Sequence, residues 1–284
     1  MPDRPDTIVL VHGLWLNPLS WEKWIEHYKA KGFNVLAPAW PGMEGEIDQV
    51  RRNTKPYENL GVAEIADHYE RIIRALDEPP IIMGHSFGGA ITEVLLDRGL
   101  GAAGVAISPA PIKGILALPP SSLKVASVAL KNPANRHKAV ALTPKEFHYG
   151  FTNTLSDDES RRAYERYAIP GPGRVLFQAA FSNFTPGSPL KIHPESGKRA
   201  PLLLMANGQD HTVPASVTKS AFKIQRKASS PTEIKEYPDR SHYTFALDGW
   251  ERVADDALEW ATQHARVPAP VRSAGSTATS VRRR

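Results

Sequence analysis

At 284 residues, with 41% hydrophobic and 23% charged residues, the chain has enough apolar content for a full core, which excludes disordered and fibrous classes. It has no cysteine, so disulfides, thiol nucleophiles and thiolate metal sites are excluded. Residues 267–284 hold Arg272, Arg282, Arg283 and Arg284 and no acid, so a net charge of +5 leaves only +1 for the rest, and no nucleic-acid partner is expected.

The stretch from Met1 to Asp6 is polar and lacks the apolar run of an export signal, and no apolar run approaches the ~20 residues that span a bilayer. A cytoplasmic protein without a membrane partner is expected. The first strand reads Thr7-Ile8-Val9-Leu10-Val11. A helix with Trp21, Trp24, Ile25 and Tyr28 on one face follows and ends at Gly32. A second strand, Asn34 to Ala37, is stopped by Pro38 and Pro41, and a polar loop runs to about Leu60. Ile65, Tyr69, Ile72 and Ile73 give a helix over 62–76 its inner face. The third strand, Pro80 to Met83, leads into Gly84-His85-Ser86-Phe87-Gly88-Gly89 and then a helix. Gly104–Ile107 and Leu202–Ala206 read as the fourth and fifth strands. Glu233–Tyr237 is half charged and suits a sheet edge. A final helix carries Trp250, Val253, Ala257 and Trp260.

Strand–helix alternation predicts an α/β protein with a mostly parallel sheet of about six strands flanked by helices. It stops between Pro111 and Ala200. Thr143-Pro144-Lys145-Glu146 and Ser156-Asp157-Asp158-Glu159 are capping boxes there, and a further helix carries Phe177, Phe181 and Phe184. An insertion this long is no ordinary connection. It is expected to be a helical lid over residues 111–200, between core segments 1–110 and 201–266. Its aromatic stripe is expected mainly to pack the lid on the sheet. Residues 267–284 are expected to form a disordered basic tail.

Gly84-His85-Ser86-Phe87-Gly88 fits the G-x-S-x-G pattern of a nucleophile on a sharp strand-to-helix turn, with both required elements in place. Glycines two residues either side of Ser86 remove the Cβ atoms that such a turn would crowd. An acyl-transfer oxyanion needs two backbone N–H donors; Phe87 follows the nucleophile, and Leu14 follows His12-Gly13 at the end of the first strand. A serine nucleophile also needs an imidazole base and an orienting carboxylate. Asp210 follows the fifth strand and His242 the sixth, both on loops at the edge that carries Ser86. Of the other histidines, His85 is expected to point away from Ser86 and His211 to be solvated. His27, His68 and His264 fall in surface helices. His137, His148 and His193 fall in the insertion. Asp239 is read as a turn residue. No His/Asp/Glu set has metal-ligand spacing, so no metal is expected.

Together, His12-Gly13, Gly84 to Gly89, Asp210 and His242 resemble the α/β-hydrolase superfamily, and within it the serine esterases, lactonases and cofactor-free haloperoxidase-like enzymes. The resemblance covers Thr7 to Pro111 and Pro201 to Trp260. It implies catalysis by Ser86, Asp210 and His242 without metal or cofactor. The expected substrate is a small apolar ester or lactone, with Trp15, Phe151, Phe177 and Phe181 as candidate substrate contacts. C–C bond hydrolysis, perhydrolysis, a lyase step and non-catalytic ligand binding remain open as alternatives on the same fold.

Overall fold

The computed structural model describes residues 5–117 and 119–266. Its strands are β1 (Thr7–Val11), β2 (Asn34–Leu36), β3 (Ile81–His85), β4 (Ala103–Ile107), the two-residue β5 (Ala139–Val140) and β6 (Gly171–Pro172), β7 (Leu202–Asn207) and β8 (Thr232–Tyr237). All but β5 and β6 form one sheet in the order β2-β1-β3-β4-β7-β8, and every neighbouring pair is parallel. The predicted parallel sheet of six strands is therefore present. β1, β3, β4 and β7 are buried along their whole length, as strands covered on both faces must be. β8 is intermediate or exposed at every position but the buried Tyr237 and lies at the edge, where its charges reach water.

The helices are α1 (Glu22–Ala30), α2 (Ile47–Arg52), α3 (Val62–Arg74), α4 (Phe87–Asp97), α5 (Pro120–Leu130), α6 (Pro144–Gly150), α7 (Asp157–Tyr167), α8 (Gly173–Ala180), α9 (Ala215–Gln225) and α10 (Trp250–His264). Helix α2 interrupts the loop expected between β2 and α3, and α9 fills the β7–β8 crossover, where no helix is predicted. Both expected capping boxes are formed. Thr143 Oγ1 accepts from Glu146 N at 3.2 Å while Glu146 returns a carboxylate to Thr143 N at 2.8 Å, and Ser156 and Glu159 repeat the pattern. The connection from β4 to β7 holds α5 to α8 and the antiparallel β5–β6 pair.

The chain leaves β1 for β2 on one side and returns to β3 on the other. The crevice at the carboxyl ends of β1 and β3 is thus the topological switch point, where open α/β sheets place their ligands. The segments Val11 to Trp15 and His85 to Phe87 emerge there together.

Glu93 is a fully buried acid on α4. Its Oε2 accepts from Gln225 Nε2 at 2.6 Å, whereas Oε1 has no partner. Burial pushes its pKa up to about 7 against the weaker pull of Gln225 and Arg199. A folded-state value raised above the unfolded one contributes stability that is whole below pH 4.5 and lost as pH climbs through about 7. Relative to Glu93→Gln, the native protein should therefore lose up to ~3 kcal/mol between about pH 5 and pH 8 in urea unfolding. Parallel pH profiles for the two proteins would contradict this assignment.

Candidate active site

Ser86 lies between β3 and α4 at φ 58°, ψ −123°, a conformation an L residue adopts only under constraint. Three backbone bonds hold it: its N–H donates to Ile107 O at 2.9 Å, and its carbonyl accepts from Ala90 N at 3.2 Å and Ala110 N at 2.9 Å. The turn needs its glycines for lack of space. A Cβ on Gly84 would stand 2.0 Å from Gly88 O, and one on Gly88 would stand 2.0 Å from Val11 O. Gly13 approaches from β1 so closely that its Cβ would lie 2.9 Å from Ser86 Cβ. The β1 loop and the β3 turn are thus in van der Waals contact.

Leu14 follows directly, and Phe87 is the first residue of α4, whose leading N–H groups have no acceptor within the helix. Neither Leu14 N–H nor Phe87 N–H donates to a protein acceptor among the described residues. Next to them, His12 has a structural task. Its Nε2 accepts from Trp40 N at 3.1 Å, its Nδ1 donates to Gly13 O at 3.0 Å, and its ring stacks on Trp40 at 4.9 Å. Complete burial lowers its pKa to about 4, which keeps it neutral and able to accept that bond.

The loops after β7 and β8 bring Asp210 and His242 together. His242 Nδ1 donates to Asp210 Oδ2 at 2.6 Å, and both side chains are shut off from solvent. Asp210 Oδ1 accepts from Thr212 N at 2.8 Å and Val213 N at 2.7 Å. Both carboxylate oxygens are therefore engaged as acceptors. With Nδ1 committed as a donor, Nε2 is the accepting position of a neutral ring, and it is buried without a hydrogen-bond partner among the described residues, Ser86 Oγ included.

Two aromatic neighbours fix the His242 ring. Phe151 meets it edge to face at 4.7 Å and is itself stacked on Phe147 at 4.8 Å. His85 lies tilted against it with centroids 4.4 Å apart. His85 thus belongs to the wall of the site: both its nitrogens are buried and unpartnered, and burial holds its pKa well below the usual histidine value. The 4.4 Å contact also carries residue 242 to the side of the Ser86 turn. Among the other histidines, His211 is half-buried in its loop, with Nδ1 2.9 Å from Tyr149 O. His27 pairs with Asp255 at 2.6 Å on the surface. Asp239 is exposed in the turn before His242.

Trp15 is buried at φ 64°, its Nε1 donating to Val140 O at 2.9 Å and its carbonyl accepting from Ile169 N at 3.0 Å. Its ring faces Phe151 at 6.3 Å, so these two candidate contacts stand beside the buried pair. Phe177 and Phe181 lie elsewhere, along a groove with Leu130, Pro133 and His137. The expected packing of the aromatic stripe onto the sheet is not seen: Phe177 is half-buried along that groove, and Phe181 and Phe184 are exposed, because α8 ends at Ala180 and the chain turns outward into a 3-10 turn over Ser182–Phe184.

Sequence reasoning missed Arg240. It is buried and donates to Thr244 Oγ1 at 2.7 Å, Thr244 O at 3.1 Å, Leu247 O at 2.9 Å and Asp248 O at 3.0 Å, tying together the loop that carries His242. An arginine two residues before the histidine is the only sequence signal of this brace. Among the described residues no three His, Asp or Glu side chains are grouped as a metal site, and no helix is long and apolar enough to cross a membrane. The expected basic tail at 267–284 lies outside the described residues.

Solved structures of the same fold include a monoacylglycerol lipase from Paleococcus ferrophilus, with 23% identity, TM-score 0.64, 93% of this chain and 97% of that one covered. A methylesterase from Arabidopsis has 15% identity and TM-score 0.62, with 89% and 98% covered. A pyrethroid hydrolase from Sphingobium faniae has 17% identity and TM-score 0.60, with 90% and 96% covered. A search of curated proteins found no match to the chain. The model of the alpha/beta hydrolase family matches residues 8–257, which include the sheet, the Ser86 turn and both loops of the buried pair, and the chain belongs to that family.

Proposed function

We propose that the protein is a serine hydrolase that cleaves a carboxylic ester or lactone through an acyl-enzyme. The observation that carries this reading is the buried Asp210–His242 pair at 2.6 Å, with Nε2 left unpartnered beside the strained Ser86 turn. Similarity to a lipase, a methylesterase and a pyrethroid hydrolase supports the ester class.

In this mechanism Ser86 Oγ attacks the carbonyl carbon and its proton passes to His242 Nε2. Asp210 stabilises the imidazolium and keeps Nδ1 as the donor. The N–H groups of Leu14 and Phe87 receive the oxyanion, each such donor being worth about 3–4 kcal/mol of transition-state stabilisation. Collapse expels the alcohol, which takes the proton from His242. Water then gives up a proton to His242 and attacks the acyl carbon, and on collapse Ser86 Oγ leaves with that proton from His242 as the acid is released. Trp15 and Phe151 flank the reacting centre and favour an apolar substrate. Ser86 and His242 are buried, so the helical segment 111–200 acts as a lid that must shift to admit substrate.

The test is hydrolysis of p-nitrophenyl acyl esters of graded length and of lactones, beside Ser86→Ala. Turnover of at least one series by the native protein and its loss in Ser86→Ala, with an unchanged melting curve, is expected. Undiminished turnover by Ser86→Ala would refute the serine mechanism, and inactivity of the native protein on every ester and lactone would refute the substrate class.

A further inference from the structure

Five large hydrophobic side chains are exposed among the described residues: Leu19, Leu116, Leu123, Phe181 and Phe184. All but Leu19 belong to the connection between β4 and β7. Phe184 is 83% exposed and Leu116 79%, so neither contributes to a core. They are nevertheless held in place. Gly114 N donates to Asn183 Oδ1 at 2.6 Å, Asn183 Nδ2 donates to Ile115 O at 2.8 Å, and Lys113 Nζ donates to Thr185 O at 2.5 Å. These bonds brace the Leu116 loop against the Phe184 turn. Phe181 adds to the same turn, stacked on Phe177 at 6.4 Å along a groove of about 680 Å³.

The two segments that carry these side chains hold charge of one sign, and Glu64 reaches them from elsewhere, on Arg174. Residues 111–142 contain Lys113, Lys124, Lys131, Arg136 and Lys138 and no acid, and residues 168–194 contain Arg174 and Lys191 and no acid. Arg174 is engaged by Glu64 at 2.6 Å. Lys124, Lys131, Arg136 and Lys138 are exposed and make no ion pair with an acid among the described residues. Projecting phenylalanine and leucine within a cationic rim is the composition of a surface that seats in the headgroup region of a bilayer. A second copy of this chain would bring the same cations against these, so self-association through this face is opposed by charge.

We propose that this face docks on an anionic lipid bilayer, with Phe181, Phe184 and Leu116 at the acyl boundary and the lysines on the lipid phosphates. The inference does not depend on the catalytic reading. The expectation of no membrane partner rested on the lack of a spanning segment, and a peripheral contact needs none.

Co-sedimentation of the full chain with large unilamellar vesicles tests it. The protein should bind vesicles of phosphatidylcholine mixed with phosphatidylglycerol and not phosphatidylcholine alone, and high salt should release it. Phe181→Ser with Phe184→Ser should lower the partition coefficient at least tenfold. Lys131→Glu with Lys138→Glu should lower it by more than the ~fivefold expected per lysine. These positions are exposed, so the melting curves should not change. No binding to anionic vesicles would overturn the proposal. So would binding untouched by either double variant and lost only when Arg272, Arg282, Arg283 and Arg284 become serine. Concentration-dependent dimerisation abolished by Phe181→Ser with Phe184→Ser would assign the face to a second copy and likewise overturn it.

Discussion

Asp210→Asn should lower kcat by about 10⁴-fold while leaving the fold intact. The reason lies in how the carboxylate is held. Asp210 Oδ1 accepts two backbone N–H groups, from Thr212 and Val213, and Oδ2 faces His242 Nδ1. An asparagine would keep its carbonyl oxygen on the two N–H donors, because an NH₂ group there would oppose both. That choice puts the NH₂ group where Oδ2 now stands, facing Nδ1–H. His242 escapes the clash by moving its proton to Nε2, and Nε2–H cannot take a proton from Ser86. The variant should melt like the native protein, since shape and backbone bonds survive. A loss of less than tenfold in kcat would mean that Asp210 does not set the tautomer of the base.

Gly88→Ala should destabilise the protein by at least ~4 kcal/mol or prevent folding, beyond the range of ordinary overpacking. The added Cβ would stand 2.0 Å from Val11 O and 2.6 Å from His12 O. Those carbonyls belong to the end of β1 and the start of its loop, so relief requires opening the β1–β3 contact that forms the site. Gly84→Ala meets the same obstacle at Gly88 O, 2.0 Å away. Gly187→Ala is the matched control, with nothing within 4 Å of its Cβ, and should change stability by no more than ~0.5 kcal/mol. Urea unfolding midpoints decide the matter, and a Gly88→Ala protein with a native midpoint would show that the turn tolerates a side chain.

Much of this arrangement was legible in the sequence because it depends on local signals. Buried parallel strands are short apolar runs, and β1, β3, β4 and β7 stand where such runs are, while β8 was legible as a half-charged edge strand. Ser86, Asp210 and His242 could be placed because each follows such a run in chain order, and Asp210 and His242 prove to be in contact. Helix α9 was not legible because its buried face is half polar: Thr218 and Gln225 lie inward beside Val217 and Ala221, which mutes the apolar period. Helix α2 has one buried residue, Val50, and no periodic stripe.

Direction was the other hidden quantity. Spacing groups Phe177, Phe181 and Phe184 on one helical face, but the helix stops at Ala180 and the last two turn to solvent. Likewise the contact of His85 with His242, with ring centroids 4.4 Å apart, joins residues on separate strand ends and has no signature in the residue types around either. The buried guanidinium of Arg240 was hidden because its partners are mostly backbone carbonyls four to eight residues away, an interaction with no side-chain signature.

The claim that Ser86 is the nucleophile is tested most directly by treating the native chain with a fluorophosphonate probe and locating the adduct by peptide mass spectrometry. A single adduct on Ser86 is expected, lost in Ser86→Ala and strongly slowed in His242→Ala. Failure of the native protein to react, or an adduct on another residue that persists in Ser86→Ala, would contradict it.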